Sequence, residues 1–189
     1  MLAMLGWHHA RVADASVRPA TPDDASAVAR VQAAAWREVY AGVLPETMLA
    51  AMGSRESAQA WAAAVRGAPT PRHRVLLALE GTEVAGFVAL GPAGDPDLDP
   101  QADAELYALC VDPGRTGAGH GSRLVNAAAD VMGGHGVARL HVWLSASDER
   151  LRTFLESAGW APDGATRRLD LHGDGAVVVD QTRLSTRLG

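Results

Sequence analysis

The stretch Glu105-Leu-Tyr-Ala-Leu-Cys-Val-Asp-Pro-Gly-Arg-Thr-Gly-Ala-Gly-His-Gly-Ser-Arg-Leu124 changes its period halfway along. Glu105 to Val111 is a short apolar run that reads as a strand, and Asp112-Pro113-Gly114 ends it. Gly117-Ala118-Gly119-His120-Gly121 then leads directly into a segment where Leu124, Ala128, Val131 and Met132 recur at helical spacing, up to Gly133-Gly134. A strand, a glycine turn and a helix N-terminus in succession suit an anion. The first N–H groups of the helix lack partners, the helix dipole favours negative charge, and glycine lets a phosphate come close to the backbone. A tight turn with no ligand is the plain alternative. A dinucleotide fold is a rival, but the strands upstream read as antiparallel rather than as repeated strand–helix–strand units.

Immediately upstream, the apolar runs 75–79 and 84–90 are joined by Glu80-Gly81-Thr82-Glu83 and predict a hairpin. Residues 91–103, rich in Pro, Gly and Asp, predict a surface loop. Nearer the start, Ser16-Val17-Arg18 reads as a short strand, and Thr21-Pro22-Asp23-Asp24 as a helix start with Thr21 as N-cap and Pro22 at the first position. Val28, Val31, Ala35, Trp36 and Val39 carry that helix to about Tyr40; Gly42 stops it, and Pro45 opens a second helical stretch through Met52. Ser54 is a cap for a helix bearing Ala58, Trp61, Ala62 and Val65. Downstream, 139–144 is a strand, and Ser147 is expected to cap a helix that buries Leu151, Phe154, Leu155 and Ala158 before Gly159. Residues 167–171 and 176–184 predict a terminal hairpin around His172-Gly173-Asp174-Gly175. The expected order is strand, two helices, three strands, helix, strand, helix, two strands, without internal repeats. By the period of two, Glu105, Tyr107, Leu109 and Val111 are expected on one face of their strand.

Composition narrows the function classes. With 189 residues and 48% hydrophobic content, one compact domain over 16–189 is expected, preceded by a leader or arm over 1–15. No apolar run approaches the roughly 20 residues that span a bilayer, and the first residues lack the charge and length of a signal peptide, so no membrane partner and a cytoplasmic location are expected. The one cysteine, Cys110, excludes a disulfide within the chain and a cysteine-built zinc site, and reads as a small core residue rather than a nucleophile. Trp7-His8-His9 offers two adjacent histidines without a third ligand, so no metal is expected. A net charge of −5 without any basic run argues against nucleic acid and accommodates a cationic small molecule or peptide. The chain has no lysine, which excludes the phosphate-binding P-loop.

The stretch Glu105 to Leu124 resembles the central acetyl-CoA motif of GNAT acetyltransferases, in which a strand ending near V-x-P is followed by Q/R-x-x-G-x-G/A. The resemblance extends to Trp36-Arg-Glu-Val-Tyr-Ala-Gly-Val-Leu-Pro45 and to Arg152-Thr-Phe-Leu-Glu-Ser-Ala-Gly-Trp160, and it covers 16–184. It implies an α+β (mixed α/β) GNAT fold, with a central, mostly antiparallel mixed sheet of about seven strands flanked by helices. The implied activity is N-acetyl transfer from acetyl-CoA to a primary amine of a small molecule or peptide, with no metal, and a homodimer is compatible with it. The CoA pyrophosphate would rest on the amides of Thr116, Gly117, Ala118, Gly119, His120, Gly121 and Ser122, with Arg115 adding charge. The pantetheine arm would follow Leu109, Cys110 and Val111, and the N–H near Val111 would face the thioester carbonyl. Asp148 and Phe154 would complete the cofactor contacts.

Three positions depart from the family pattern. Thr116 stands where the loop usually begins with Gln or Arg. Asp148 replaces an asparagine and cannot donate a hydrogen bond when ionised, and Leu155 occupies the place of the tyrosine that often protonates the leaving thiolate. Leu155 and Asp148 favour the rival reading, a non-catalytic CoA-binding or regulatory domain. An alkylamine of pKa about 10.4 needs a base. Glu105 lies where some family members carry such a carboxylate, although a solvated strand-end acid is the plain reading; His141 and His120 are weaker candidates. Trp36, Tyr40 and Tyr107 are candidates for an acceptor cleft, against a purely structural role. Asp95, Asp97, Asp99 and Asp103 are candidates for attracting a cation, against a solvated acidic loop.

Overall fold

The computed structural model describes residues 15–170 and 177–189. The expected arm with its Trp7-His8-His9 and the expected turn over 172–175 lie outside the described residues. The chain opens with β1 (Ala15–Pro19), a 3-10 turn (Pro22–Asp24), α1 (Ala25–Tyr40), α2 (Glu46–Met52) and α3 (Arg55–Arg66). Next come β2 (Arg74–Glu80), β3 (Glu83–Pro92), β4 (Asp103–Val111), a second 3-10 turn (Pro113–Arg115) and α4 (His120–Gly133). β5 (Arg139–Ser145), α5 (Glu149–Ser157), β6 (Ala161–Asp170) and β7 (Val178–Arg187) complete the order. Three helices, not two, therefore separate β1 from β2.

Thr21 is the N-cap and Pro22 the first residue, as expected, but of a 3-10 turn that leads into α1, and the cap of α5 differs from expectation. Pro22 opens a 3-10 turn, and Thr21 donates its N–H and its hydroxyl, each at 2.8 Å, to the Asp24 carboxylate, which both terminal nitrogens of Arg18 also grip. α5 is capped by Asp148 rather than Ser147: the Asp148 carboxylate accepts the N–H of Leu151 at 3.0 Å, while the Ser147 hydroxyl pairs with that of Ser145. A carboxylate serves as an N-cap acceptor as well as an asparagine oxygen does.

The seven strands form one sheet in the order β1-β2-β3-β4-β5-β7-β6. Every neighbouring pair is antiparallel except β4 with β5. That parallel pair is short: it matches Asp103–Leu106 to Arg139–Val142, and the two strands then part.

Both faces of the sheet are covered. Leu76, Ala78, Val88 and Leu90 pack with Leu124, Ala128 and Met132 of α4 and Leu155 of α5. The alternate residues Leu77, Phe87 and Ala89 pack with Val28 and Val31 of α1 on the other face, where Trp61 of α3 meets Phe87 edge-on at 5.1 Å. Alternation of this kind is what a sheet with helices on both faces requires.

β4 departs from that alternation. Ala89 pairs with Ala108 and Leu90 with Leu106, so Tyr107 is an extra residue, a β-bulge. Ala104 and Leu106 face the α4 side, and beyond the bulge it is Leu109 and Val111 that lie there, while Ala108 and Cys110 face α1. Glu105 therefore does not share a face with Leu109 and Val111. No helix among the described residues is long and apolar enough to cross a membrane.

Candidate active site

The gap where β4 and β5 separate opens a cavity of about 570 Å³. Leu109, Cys110 and Val111 form its strand wall. The N–H of Asp112 bonds to the carbonyl of Ala85 at 2.8 Å, and antiparallel bonding alternates. Cys110 therefore bonds toward β3, whereas the backbone groups of Leu109 and Val111 turn toward the gap, where β5 no longer pairs with them.

Arg115, Thr116, Gly117, Gly119, His120, Gly121 and Ser122 line the far end of this cavity. Gly117 and Gly119 have φ of +79° and +80°, which side chains rarely adopt, so the turn aims its amides only because both are glycine. Ala118 is set back from the cavity, and its carbonyl accepts Arg123 Nη1 at 2.9 Å. Arg115 is held by Glu80 at 2.7 Å, which reduces the charge it brings to the loop. His120, only 2% exposed, lines the same cavity with neither ring nitrogen hydrogen-bonded, and its burial lowers its pKa toward the neutral imidazole. A glycine cradle at the start of a 14-residue helix and an orphaned imidazole both suit a polyanionic group such as a pyrophosphate.

Asp148 and Phe154 form the α5 wall. Burial is the main cause raising the pKa of Asp148, partly offset by the Leu151 N–H. Sequence reasoning missed Ala35, Glu38 and Val39 of α1 and Arg150 of α5, which also line the cavity; Glu38 and Arg150 form an ion pair at 2.8 Å between the two helices. Leu155 is fully buried against the α4 side of the sheet and opens to neither cavity. The Cys110 thiol, pushed up to about 12 by burial and then by Asp148, stays protonated.

A second cavity of about 230 Å³ adjoins the first half of β4 and brings together Trp36, Tyr40, Glu105 and Tyr107. It also contains Trp143, Arg167 and Gln181, which the sequence reading did not single out. α1 borders both cavities, presenting Ala35, Glu38 and Val39 to the larger and Trp36 and Tyr40 to the smaller. Tyr107, placed outward by the bulge, donates to the Pro92 carbonyl at 2.6 Å. The Glu105 pKa is raised, first by burial and then by Asp95, with Arg167 pulling it back.

The acidic stretch is not a free cation attractor. Asp95 and Asp97 are bound by Arg183, while Asp103 is buried and paired with Arg139 at 2.7 Å. His141 is also buried, with Nδ1 2.7 Å from the Ser185 hydroxyl and Nε2 3.3 Å from Asp103, away from both cavities. Among the described residues no group of three His, Cys, Asp or Glu side chains is placed to hold a metal.

Comparison with known proteins places this geometry. The sequence model of the Acetyltransferase (GNAT) family matches residues 34–160. Mycothiol acetyltransferase of Beutenbergia cavernae is 38% identical over 61 residues, 32% of this chain and 20% of that protein, so the match spans about a fifth of the relative's length. PaiA N-acetyltransferase from Thermoplasma acidophilum, solved in complex with coenzyme A, superposes with a TM-score of 0.71 at 18% identity, covering 92% of this chain and 99% of that one. An N-acetyltransferase from Staphylococcus aureus Mu50 gives 0.68 at 17% identity, covering 93% and 99%. The yncA protein of Salmonella typhimurium, solved with its cofactor acetyl-CoA, gives 0.63 at 17% identity, covering 93% and 95%. At these identities the structural likeness is one of fold.

Proposed function

The chain belongs to the GNAT acetyltransferase family, and from that premise we propose that it moves an acetyl group from acetyl-CoA to a primary amine. The observation that carries this is the pair of cavities on β4: one ends in a glycine turn at a helix N-terminus, and the other holds a partly buried carboxylate. The backbone amides of Thr116, Gly117, Gly119, His120, Gly121 and Ser122, with the His120 ring, hold the pyrophosphate, and the gap beside Leu109 and Val111 takes the pantetheine arm. Acetyl-CoA supplies an activated acyl thioester.

Glu105 Oε atoms take the proton from the acceptor ammonium, which frees the nitrogen lone pair. The Val111 N–H, lacking a strand partner, donates to the developing oxyanion; one such donor is worth about 10²–10³ in rate. A thiol of pKa about 8.5 leaves tolerably as thiolate, so the reaction needs no tyrosine on α5. Leu155 and Asp148 do not argue for a non-catalytic domain, because one fills the core and the other caps α5.

Titration calorimetry with acetyl-CoA, together with thiol release in the presence of amines, tests the proposal. Gly119→Glu places a carboxylate in the cradle and is expected to abolish binding. Gly119→Ala carries the same backbone strain at positive φ without the charge and is expected to keep measurable binding. Equal acetyl-CoA affinity in wild type and Gly119→Glu overturns the assignment.

A further inference from the structure

The smaller cavity is lined by one carboxylate, Glu105, and one guanidinium, Arg167; no contact within 4 Å joins them, although the Arg167 charge is felt at Glu105 and pulls its pKa back. Arg167 is anchored in place. Its Nε donates to Gln181 Oε1 at 2.7 Å, its cross-strand neighbour in β6 and β7, and its guanidinium carbon lies 4.2 Å from the centre of the Trp143 ring. Trp143 is itself fixed by the bond from its Nε1 to Asp95 at 2.9 Å. Among the described residues the two terminal nitrogens of Arg167 make no hydrogen bond and meet no carboxylate within ion-pair distance. Arg18, Arg139, Arg168 and Arg183 of this sheet have carboxylate partners, whereas Arg74 and Arg187, like Arg167, have none among the described residues.

Opposite charges held apart on the walls of one cavity are complementary to a molecule carrying both charges in the reverse order. Resting on the reading of this site as an acetyl acceptor site, we infer that the acceptor is a free amino acid, its ammonium on Glu105 and its carboxylate on Arg167. The two terminal NH2 groups of Arg167 match a carboxylate bidentately, one N–H from each, a strong and geometrically selective contact. A cavity of about 230 Å³ has room for a small molecule of amino-acid size. Trp36 and Tyr40, 5.0 Å apart, with Trp143 and Tyr107, give the side chain an aromatic enclosure.

In the reaction the ammonium gives one proton to Glu105. The nitrogen forms a bond to the acetyl carbon as the carbon–sulfur bond breaks, the sulfur leaves with that bonding pair, and the second nitrogen proton is lost to the thiolate or to water. The products are an N-acetyl amino acid and free CoA, with one net proton released.

Thiol release is measured for three matched sets: the common L-amino acids, their α-amides, and the corresponding decarboxylated amines. The α-amides also represent peptide N-termini. At least one amino acid is expected to exceed its own amide and amine by about 10- to 100-fold in kcat/KM, the range for a lost charge-assisted bidentate contact. Arg167→Met keeps the stem over Trp143 and is expected to erase that ratio, bringing the amino acid down to its amide, whereas Arg167→Lys restores part of it. Wild-type activity on amides or simple amines equal to that on every amino acid overturns the acceptor class and leaves acetyl transfer standing. Equal loss on amino acid and amide in Arg167→Met also overturns it. No thiol release with any acceptor, despite acetyl-CoA binding, overturns both.

Discussion

The guanidinium of Arg183 binds both carboxylate oxygens of Asp97 and, with the same group, reaches Asp95 at 3.0 Å and Asp163 at 2.7 Å. Arg183 is 4% exposed, so this one side chain ties the loop between β3 and β4 and the start of β6 to β7. Removing a buried cation leaves its carboxylates facing one another. Arg183→Met is expected to lower stability by about 3 kcal/mol in urea unfolding. The Asp97 carboxyl is held at about 2 by its bonds to Arg183. A depressed carboxyl contributes stability that is present above its unfolded value near 3.9 and lost as pH falls through about 2. The wild type should therefore lose stability between about pH 4 and pH 2, and Arg183→Met should show a shallower loss there.

Glu105 is expected to set the acid limb of the pH–rate profile. Burial raises its pKa, so activity should rise with pH over a range above that of an ordinary carboxylate. Glu105→Gln is expected to lower kcat/KM by about 10²–10⁴ near neutrality and to recover partly as rising pH supplies free amine. Profiles of equal shape and height for wild type and variant would assign Glu105 a structural role.

Leu155 answers to packing rather than to proton transfer. Leu155→Ala is expected to cost about 2–5 kcal/mol through the cavity it leaves. Leu155→Tyr overfills the same site, at about 1–3 kcal/mol, and is not expected to raise turnover. A thermal melt beside the rate assay checks both, and a faster Leu155→Tyr enzyme would contradict this placement.

Cys110 is expected to be silent in the folded protein. Its thiol is buried and pushed up to about 12, so the thiolate is scarce at neutral pH. Alkylation by iodoacetamide should be slow in buffer and fast in denaturant, which mass spectrometry resolves. Rapid labelling of native protein would mean that the larger cavity admits base and reagent to the sulfur.

How far the sequence speaks is clearest along β4 and α4. A strand, then Gly117 and Gly119, then an amphipathic helix are all local patterns, and each was legible because backbone sterics and the helical period act over a few residues. Residues 115–117 and 119–122 gather along one cavity for that reason. The bulge at Tyr107 was not legible: one extra residue leaves no mark in composition, and it moves Glu105 to the face opposite Leu109 and Val111. The parting of β4 from β5 after Leu106 was equally hidden, since it follows from the registers of two strands rather than from either one. The partners that decide charge lie farthest apart: Arg183 meets Asp95 across 88 positions, and Arg167 reaches the cavity of Glu105 from another strand. The sequence by itself determined most of the elements and the glycine turn between β4 and α4, because those rest on local dihedral and hydrophobic preferences. Only the tertiary structure decided which charges neutralise one another and which face a shared cavity, because that depends on distances set by sheet order and strand register.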